Sequence, residues 1–498
     1  MATVQPLRVR SGRGVELGLL VLALVLGVAA YALVGLGVKD KVPSNVLWYG
    51  VGMAVMAVGM HLVLRWRAPY ADPVILPIVV ALNGIGLAMI YRLDLAAESK
   101  GHPTDFAGKQ LVWTAISVVL AAVVLIWLRD HRTLRRYTYT AGVAALVLMA
   151  SPMLPVIGKD VNGARIWVRV GGVGLQPAEL AKIALAIFFA GYLVTNRDTL
   201  TLAGPKVLGL QLPRVRDLGP ILVVWGVSLA ILVLQSDLGT SLLFFGLFVA
   251  VLYLATERIS WVAIGLVLFA GGAAAAVAAI PHVAVRFSAW SDALSNAEFN
   301  RPFGGSGQLV RGLFGMASGG LFGTGWGQGR PDLVPFAESD FIVPSLGEEL
   351  GLTGLLAILV LYAVLTERGL RTAIGVRDGF GKLLAGGLAF VMAFQVFVVV
   401  GGVTRLIPLT GLTTPFLAYG GSSLLANWVI VALLLRVSDD ARRPAPAMRA
   451  VATPSGGTPA VGNPAVGNPA VGGPVVRRPA PRGAEPDENP TERIGGLP

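Results

Sequence analysis

The side chains that can do chemistry in this 498-residue chain are carboxylates, cations and hydroxyls, because it contains no Cys and only four His. Disulfides, thiolate nucleophiles and thiolate metal sites are thereby excluded, and the scattered His leave no imidazole cluster for zinc. Polar residues gather in four stretches. GARIWVRVGGVGLQPAELAK carries Arg165, Arg169, Glu179 and Lys182, and QSDLGTS carries Asp237. FGTGWGQGRPDLVPFAESDFIVPSLGEELGLTG carries Glu338, Asp340, Glu348 and Glu349, and GGVTRLIPLTGLTTPFLAYGGSS carries Arg405, Ser422 and Ser423. Whatever chemistry these stretches carry must use carboxylates, cations, hydroxyls or backbone.

Each stretch admits a structural reading beside the functional one. Pro177 stands at a first helical position with Glu179 at the third, complementing the helix dipole, and Glu179 and Lys182 share one helix face. They are either a capping carboxylate with a snorkelling lysine or a polar patch inside the bundle. Ionisable groups within a span cost about 2.5–3.5 kcal/mol on insertion scales and usually face a cavity, and with Arg165 and Arg169 nearby such a patch suits an anionic headgroup. Asp237, between two apolar runs, either caps the next helix or joins that patch. Gly323, Gly325, Gly327 and Gly329 let backbone approach a ligand or another segment, but no strand precedes them and they form no dinucleotide fingerprint. Glu338 and Asp340 precede the point where the chain enters the membrane, and Glu348–Glu349 puts two acidic residues about two turns into an apolar span. Pro408, Gly411, Pro415 and Gly420–Gly421 break the helical pattern, which membrane depth tolerates only in protein-buried or cavity-lining segments. The segment is a tight loop before the last helix, or its backbone donors, Ser422 and Ser423 bind phosphate oxygens with Arg405 as the cation.

These residues must be held by a membrane-embedded frame. Apolar residues make up 55% of the chain and charged ones 14%, and mean hydropathy is +0.71, which excludes a soluble globular protein. Apolar windows predict twelve helices at about 15–38, 45–65, 73–92, 108–129, 137–156, 177–195, 217–235, 238–256, 259–280, 341–366, 379–403 and 417–437. The fold class is an all-α polytopic membrane protein. The first span is too long for a signal-peptide core and lacks a cleavage site, so it is expected to remain as an anchor. The net charge of +12 sits in connections between spans, which argues for membrane orientation and lipid headgroups and against nucleic acid. With both termini cytoplasmic, Arg65, Arg67, Arg129, Arg132, Arg135, Arg136, Arg258, Arg368, Arg371 and Arg377 fall inside, and the four polar stretches converge on the outer face. The long loop at 281–340 is rich in aromatics (Phe287, Trp290, Phe299, Phe303, Phe314, Phe322, Trp326 and Phe336) expected to pack against something. From 438 to 498 a Pro/Gly/Ala-rich cytoplasmic tail reads as disordered.

In order and spacing, the four stretches closely resemble the SEDS family (shape, elongation, division and sporulation), the RodA and FtsW membrane glycosyltransferases of bacterial peptidoglycan synthesis. The resemblance covers about residues 73–437. It implies a ten-helix core with a large extracellular loop before the tenth helix of the chain. Residues 15–72 then form two extra N-terminal helices, as in actinobacterial RodA-type members, after a cytoplasmic N-terminus at 1–14. The implied activity is polymerisation of lipid II into glycan strands for elongation and shape, with undecaprenyl pyrophosphate leaving. Asp340 matches the family's catalytic carboxylate, Glu179, Lys182 and Asp237 match polar cavity positions, and Ser422 and Ser423 match its GGSS turn. Ser236 stands where a Pro is common, Glu338 where a His is usual, Phe336 where a Glu is frequent, and Arg405 where a small residue is common. The expectation is that Asp340 deprotonates the acceptor hydroxyl while Lys182, Arg165 or Arg405 stabilises the leaving group. A divalent ion, Mg or Mn, held by Asp237 or Glu179 would assist, with no organic cofactor. Implied partners are lipid II, the growing glycan strand, membrane lipids, a class B penicillin-binding protein and the elongation machinery. A lipid II flippase with a polar path to both faces and a noncatalytic transpeptidase scaffold are the competing readings.

Overall fold

Runs of about twenty apolar residues fold as helices because a helix satisfies its backbone groups internally, as an apolar surrounding demands. The computed structural model describes residues 12–161, 164–196, 206–207, 210–211, 215–302 and 304–444. A helix occupies each of the twelve predicted positions. They are α1 (Arg13–Lys39), α2 (Val46–Arg67), α3 (Ile75–Ser99), α4 (Phe106–Trp127), α5 (Thr138–Ala150), α6 (Pro177–Thr195), α7 (Val215–Leu234), α8 (Leu238–Thr256), α9 (Ser260–Ala279), α13 (Ile342–Gly375), α14 (Gly379–Val403) and α15 (Gly421–Arg442), with α10–α12 between α9 and α13. Ten of these are long and apolar enough to cross a membrane, so this is a multi-pass membrane protein. The other two are α5, with 13 residues, and α7, whose apolar part is the shorter Gly219–Leu234.

Several boundaries depart from the sequence reading. Helix α5 stops before the predicted 156 because Pro152 enters a 3₁₀ turn at Ser151–Met153 and cannot continue the hydrogen-bond ladder. The expected loop at 157–176 is instead an antiparallel sheet, β1 (Gly158–Val161), β2 (Ala164–Val170) and β3 (Val173–Leu175), in the order β1-β2-β3. Alternation of Arg165, Trp167 and Arg169 with Ile166 and Val168 is the period-two signal of a strand. The long connection forms α10 (Pro281–Ser291), α11 (Asn296–Phe299) and α12 (Gly307–Gly319). Phe299 packs with Ala293, Leu309 and Val310 and Trp326 packs on the main core, whereas Phe322 is 82% exposed. Phe303 lies outside the described residues.

Helix α15 begins after the broken turn, at Gly421, and runs past the predicted 437 to Arg442. Its last turns pair with the α2–α3 connection. Arg442 and Arg368 meet buried Asp72, the Tyr70 amide donates to Asp439 at 2.9 Å, and Arg436 donates to the Arg67 carbonyl at 2.8 Å. The remaining tail lies outside the described residues.

Helices α1 and α2 belong to the compact unit that extends to Pro444. Helix α1 lies along α3, where a Cβ on Gly84 would stand 2.9 Å from the Cα of Gly27. Helix α13 is kinked at Gly351 (φ 68°), where the Gly-rich loop passes so closely that a Cβ on Gly351 would lie 2.2 Å from the Gly323 nitrogen.

Candidate active site

The segment ESD is a tight turn rather than the start of a helix. Phe336 takes a positive φ of 57°, and its carbonyl accepts from the amides of Ser339 (3.1 Å) and Phe341 (3.2 Å). This turn presents Asp340 half-buried just ahead of α13, with Ser339 Oγ donating to its Oδ1 at 2.9 Å. Burial pushes the Asp340 carboxyl above the usual aspartate range, and the charge of Glu338 adds to this; the Ser339 hydroxyl and Arg286 oppose it. Arg286, on α10, is half-buried and its affinity for a proton is lowered by burial, while the charges of Asp237 and Asp340 hold it up. One guanidinium therefore lies within electrostatic reach of carboxylates from two different motifs. Its only hydrogen-bond contact among the described residues is a long one, 3.5 Å from Nη1 to the Thr410 carbonyl.

Asp237 caps α8, its Oδ1 accepting from the Thr240 amide at 3.0 Å, as the structural reading of its turn requires. Its other oxygen, Oδ2, is buried without a hydrogen-bond partner among the described residues, as are the hydroxyls of Thr413 and Thr414. Buried polar atoms are rarely left unpaired in native proteins, and these three lie in or against the broken segment before α15, since a Cβ on Gly239 would stand 2.8 Å from the Thr410 carbonyl. Ser236 has φ 62°, a conformation closed to the proline common at this position in the family it resembles.

Glu179 and Lys182 form a buried pair on α6. The Lys182 ammonium donates to Glu179 Oε2 (2.6 Å), Gln395 Oε1 (3.0 Å) and Asn427 Oδ1 (3.2 Å), which uses all three of its protons. With 1% exposure, it joins α6, α14 and α15 in one network. Asn427 donates onward to Ser423 Oγ (3.1 Å), Gln395 to the Thr413 carbonyl (2.8 Å), and Ser422 Oγ accepts from the Gln176 amide (2.8 Å). The GGSS turn is thus held by side chains of its own fold. Glu338 meets the same turn through its backbone, its carbonyl accepting from the Tyr419 amide at 2.7 Å.

The remaining predicted residues lie apart from Asp340. Arg405 donates from Nε to the Trp290 carbonyl (2.9 Å) and from Nη2 to the Ser291 carbonyl (2.8 Å), closing the C-terminal end of α10, where a cation is favoured. Arg165 is exposed on β2, 3.6 Å from Asp160. Glu349 accepts from Arg92 Nε (2.8 Å) and the Gly327 amide (2.9 Å), and Glu348 accepts from the Arg330 amide (2.7 Å). These two carboxylates hold the Gly-rich loop on the kink of α13, so the glycines serve the approach of another segment.

Sequence reasoning passed over Arg286, Gln395, Asn427, Arg92 and Tyr419. For Gln395 and Asn427 the available signal was a polar amide inside an apolar span. For Arg286 it was a lone cation in the apolar run HVAVRF.

This arrangement defines a class: a multi-pass helical membrane protein with a carboxylate–arginine site where four interrupted segments meet at one end of the bundle. Within that class the chain belongs to the FtsW/RodA/SpoVE family of cell cycle proteins, whose family model matches residues 73–443. It is 50% identical over 446 residues to the peptidoglycan glycosyltransferase RodA of Mycobacterium tuberculosis, covering 89% of this chain and 94% of that one. Among solved structures it is similar to a chain of a peptidoglycan synthase complex that coordinates polymerisation and crosslinking (TM-score 0.58, 25% identity, 75% of this chain and 99% of that one). It is also similar to the rod shape determining protein RodA of Thermus thermophilus (TM-score 0.51, 25% identity, 76% of this chain and 100% of that one).

Proposed function

We infer that this protein is a peptidoglycan glycosyltransferase that polymerises lipid II into glycan strands for cell elongation and shape. The basic residues of the connections support cytoplasmic termini and, with them, a site at the outer face of the membrane. The observation that carries the mechanism is the half-buried Asp340, presented by the turn ahead of α13 and bonded by the Ser339 hydroxyl, with the half-buried Arg286 of α10 favouring its ionised form. Asp340 accepts the proton of the acceptor sugar's 4-hydroxyl as that oxygen bonds to the anomeric carbon of the donor. The bond from that carbon to the pyrophosphate oxygen breaks, its electron pair leaves with undecaprenyl pyrophosphate, and Arg286 stabilises the charge. Lys182, whose three protons are all taken, and Arg405, which clamps the end of α10, hold the frame instead.

The fit to a divalent ion is partial. Glu179 is engaged by an ammonium, while Asp237 Oδ2 has no hydrogen-bond partner among the described residues. Mg²⁺ commonly takes one or two carboxylates together with substrate phosphates. Asp237 would hold such an ion, which would neutralise pyrophosphate charge. The similarity to a chain of a synthase complex that couples polymerisation with crosslinking supports a class B penicillin-binding protein as partner. The test is formation of polymer from fluorescent lipid II by the purified protein, alone and with that transpeptidase. Polymer in either setting supports the reading, and flipping of lipid II without polymer overturns it.

A further inference from the structure

A second feature, a cavity, lies away from Asp340. It has a volume of about 420 Å³ and opens between α1, α2, α3 and α4, at the same end of the bundle as the candidate active site. Tyr31, Asn45, Trp48 and Tyr49 of its wall precede the family match, and the rest comes from α3, α4 and their connection.

Its lining has a definite chemistry. The Tyr31 ring is stacked between Tyr49 (centroids 4.1 Å, 13°) and Tyr91 (4.2 Å, 17°), and Asn45 donates to the Tyr31 hydroxyl at 2.9 Å. Trp48 at the rim is 77% exposed. The charged lining groups are all acidic: Asp94, Glu98 and Asp105. Asp94 is satisfied by the amides of Phe106 (3.0 Å) and Ala107 (2.8 Å), and Glu98 by Lys39 (2.8 Å). With Glu98 neutralised by Lys39, Asp94 and Asp105 leave the wall weakly acidic, which disfavours phosphates and carboxylates. The exposed Trp48 ring and half-buried Tyr91, with the amide and carboxylate groups beside them, instead fit an uncharged ring that presents C–H groups on one face and hydroxyls at its edge, which is a sugar. The volume lies in the range of ordinary ligand pockets.

Only the first turns of α4 separate this cavity from the Asp340 turn. Asp105, Ala107, Gly108 and Leu111 line the cavity. From the same turns Phe106 packs on Tyr419 (5.0 Å), and Gln110 bonds both the Ala418 carbonyl (3.0 Å) and the Gly420 amide (3.3 Å). The Tyr419 amide in turn donates to Glu338.

We propose that this cavity is a saccharide subsite, which binds an uncharged sugar unit of the glycan strand away from the reacting pair and so retains the polymer between additions. The strand assignment rests on the polymerase reading, whereas sugar binding itself does not. The sugar of a glycolipid headgroup shares the chemistry, and the two sources are separated by strand length.

The test uses the full-length protein, with a soluble tetramer of N-acetylglucosamine as probe. Two variants report: Trp48→Ala removes an exposed ring, and Ala107→Trp fills the cavity. The proposal predicts that the wild type binds the tetramer and that each variant binds it at least tenfold more weakly. Both variants should make strands several-fold shorter, with the rate of the first glycosidic bond within twofold of wild type. Absent tetramer binding, or equal binding by wild type and both variants, overturns the subsite. Weakened binding with unchanged strand length overturns the strand role and assigns the sugar to a glycolipid. If no form makes polymer, the polymerase reading has failed, and tetramer binding that the variants lose still establishes the subsite.

Discussion

The carbonyl of Glu338 accepts a 2.7 Å hydrogen bond from the amide of Tyr419, joining the turn that presents Asp340 to the turn that begins the last helix. Two segments about eighty residues apart in sequence are thereby fixed edge to edge. The Asp340 carboxylate is positioned by backbone on one side and faces Arg286 electrostatically from α10 on the other.

Removing the shared cation should be costly. Losing one group aimed at developing negative charge typically lowers kcat about 10²–10³-fold, so Arg286→Gln should do so and Arg286→Lys should restore part of the loss. The pH profile carries a second signature. A nearby positive charge favours the ionised carboxylate, so its loss must raise the Asp340 pKa further. Because the base works deprotonated, the acidic limb of kcat/KM should already lie above the ordinary aspartate value of about 3.9 and should move to higher pH in Arg286→Gln. An unmoved limb would detach Arg286 from Asp340.

Arg405 should behave as a structural clamp. Arg405→Ala leaves the Trp290 and Ser291 carbonyls without their donors. Both carbonyls are within reach of water, so at about 0.5–1.5 kcal/mol net for each lost hydrogen bond thermal melting in detergent should drop by a few degrees. A raised KM for lipid II with unchanged melting would instead put Arg405 on the substrate.

The Arg92–Glu349 pair should be strongly asymmetric toward single substitutions. Glu349→Leu strands a buried guanidinium, for which about 3–5 kcal/mol is typical, and releases the Gly327 amide. The double variant Arg92→Met/Glu349→Leu should recover a substantial part of the lost melting temperature. Equal destabilisation in the single and double variants would contradict a coupled pair.

Asp237→Asn separates capping from chemistry, since Asn caps a helix as well as Asp does. Melting should stay within a degree or two while polymerisation falls at least tenfold, and the concentration of Mg²⁺ giving half-maximal rate should rise. Chelation by EDTA should suppress the wild type reversibly. Full activity in Asp237→Asn would leave the residue as a cap alone.

The spans were readable from sequence because apolar runs of membrane length leave the backbone little choice. The misses came where local chemistry or distant partners decide. Pro152 shortened α5, the alternation around Trp167 made a strand inside a presumed loop, and α15 was extended by pairing with Asp72 and Tyr70, more than three hundred residues away. The site was legible as motifs but not as a geometry. Asp340, Asp237, Glu179 and Lys182 stood out as charges near spans, yet nothing in the sequence distinguished Lys182, saturated by three acceptors, from Arg286, which has one long contact. Likewise Glu348 and Glu349 read as chemistry because their true partners, Arg92 and the amides of a Gly-rich loop, are non-local.

The most direct test of the central claim is the rate of lipid II polymerisation by Asp340→Asn beside wild type, at matched melting temperature and with the transpeptidase present. The account predicts that glycan product from Asp340→Asn falls to background while the fold is retained. Polymer formed at a rate within a few-fold of wild type would contradict it and remove Asp340 as the base.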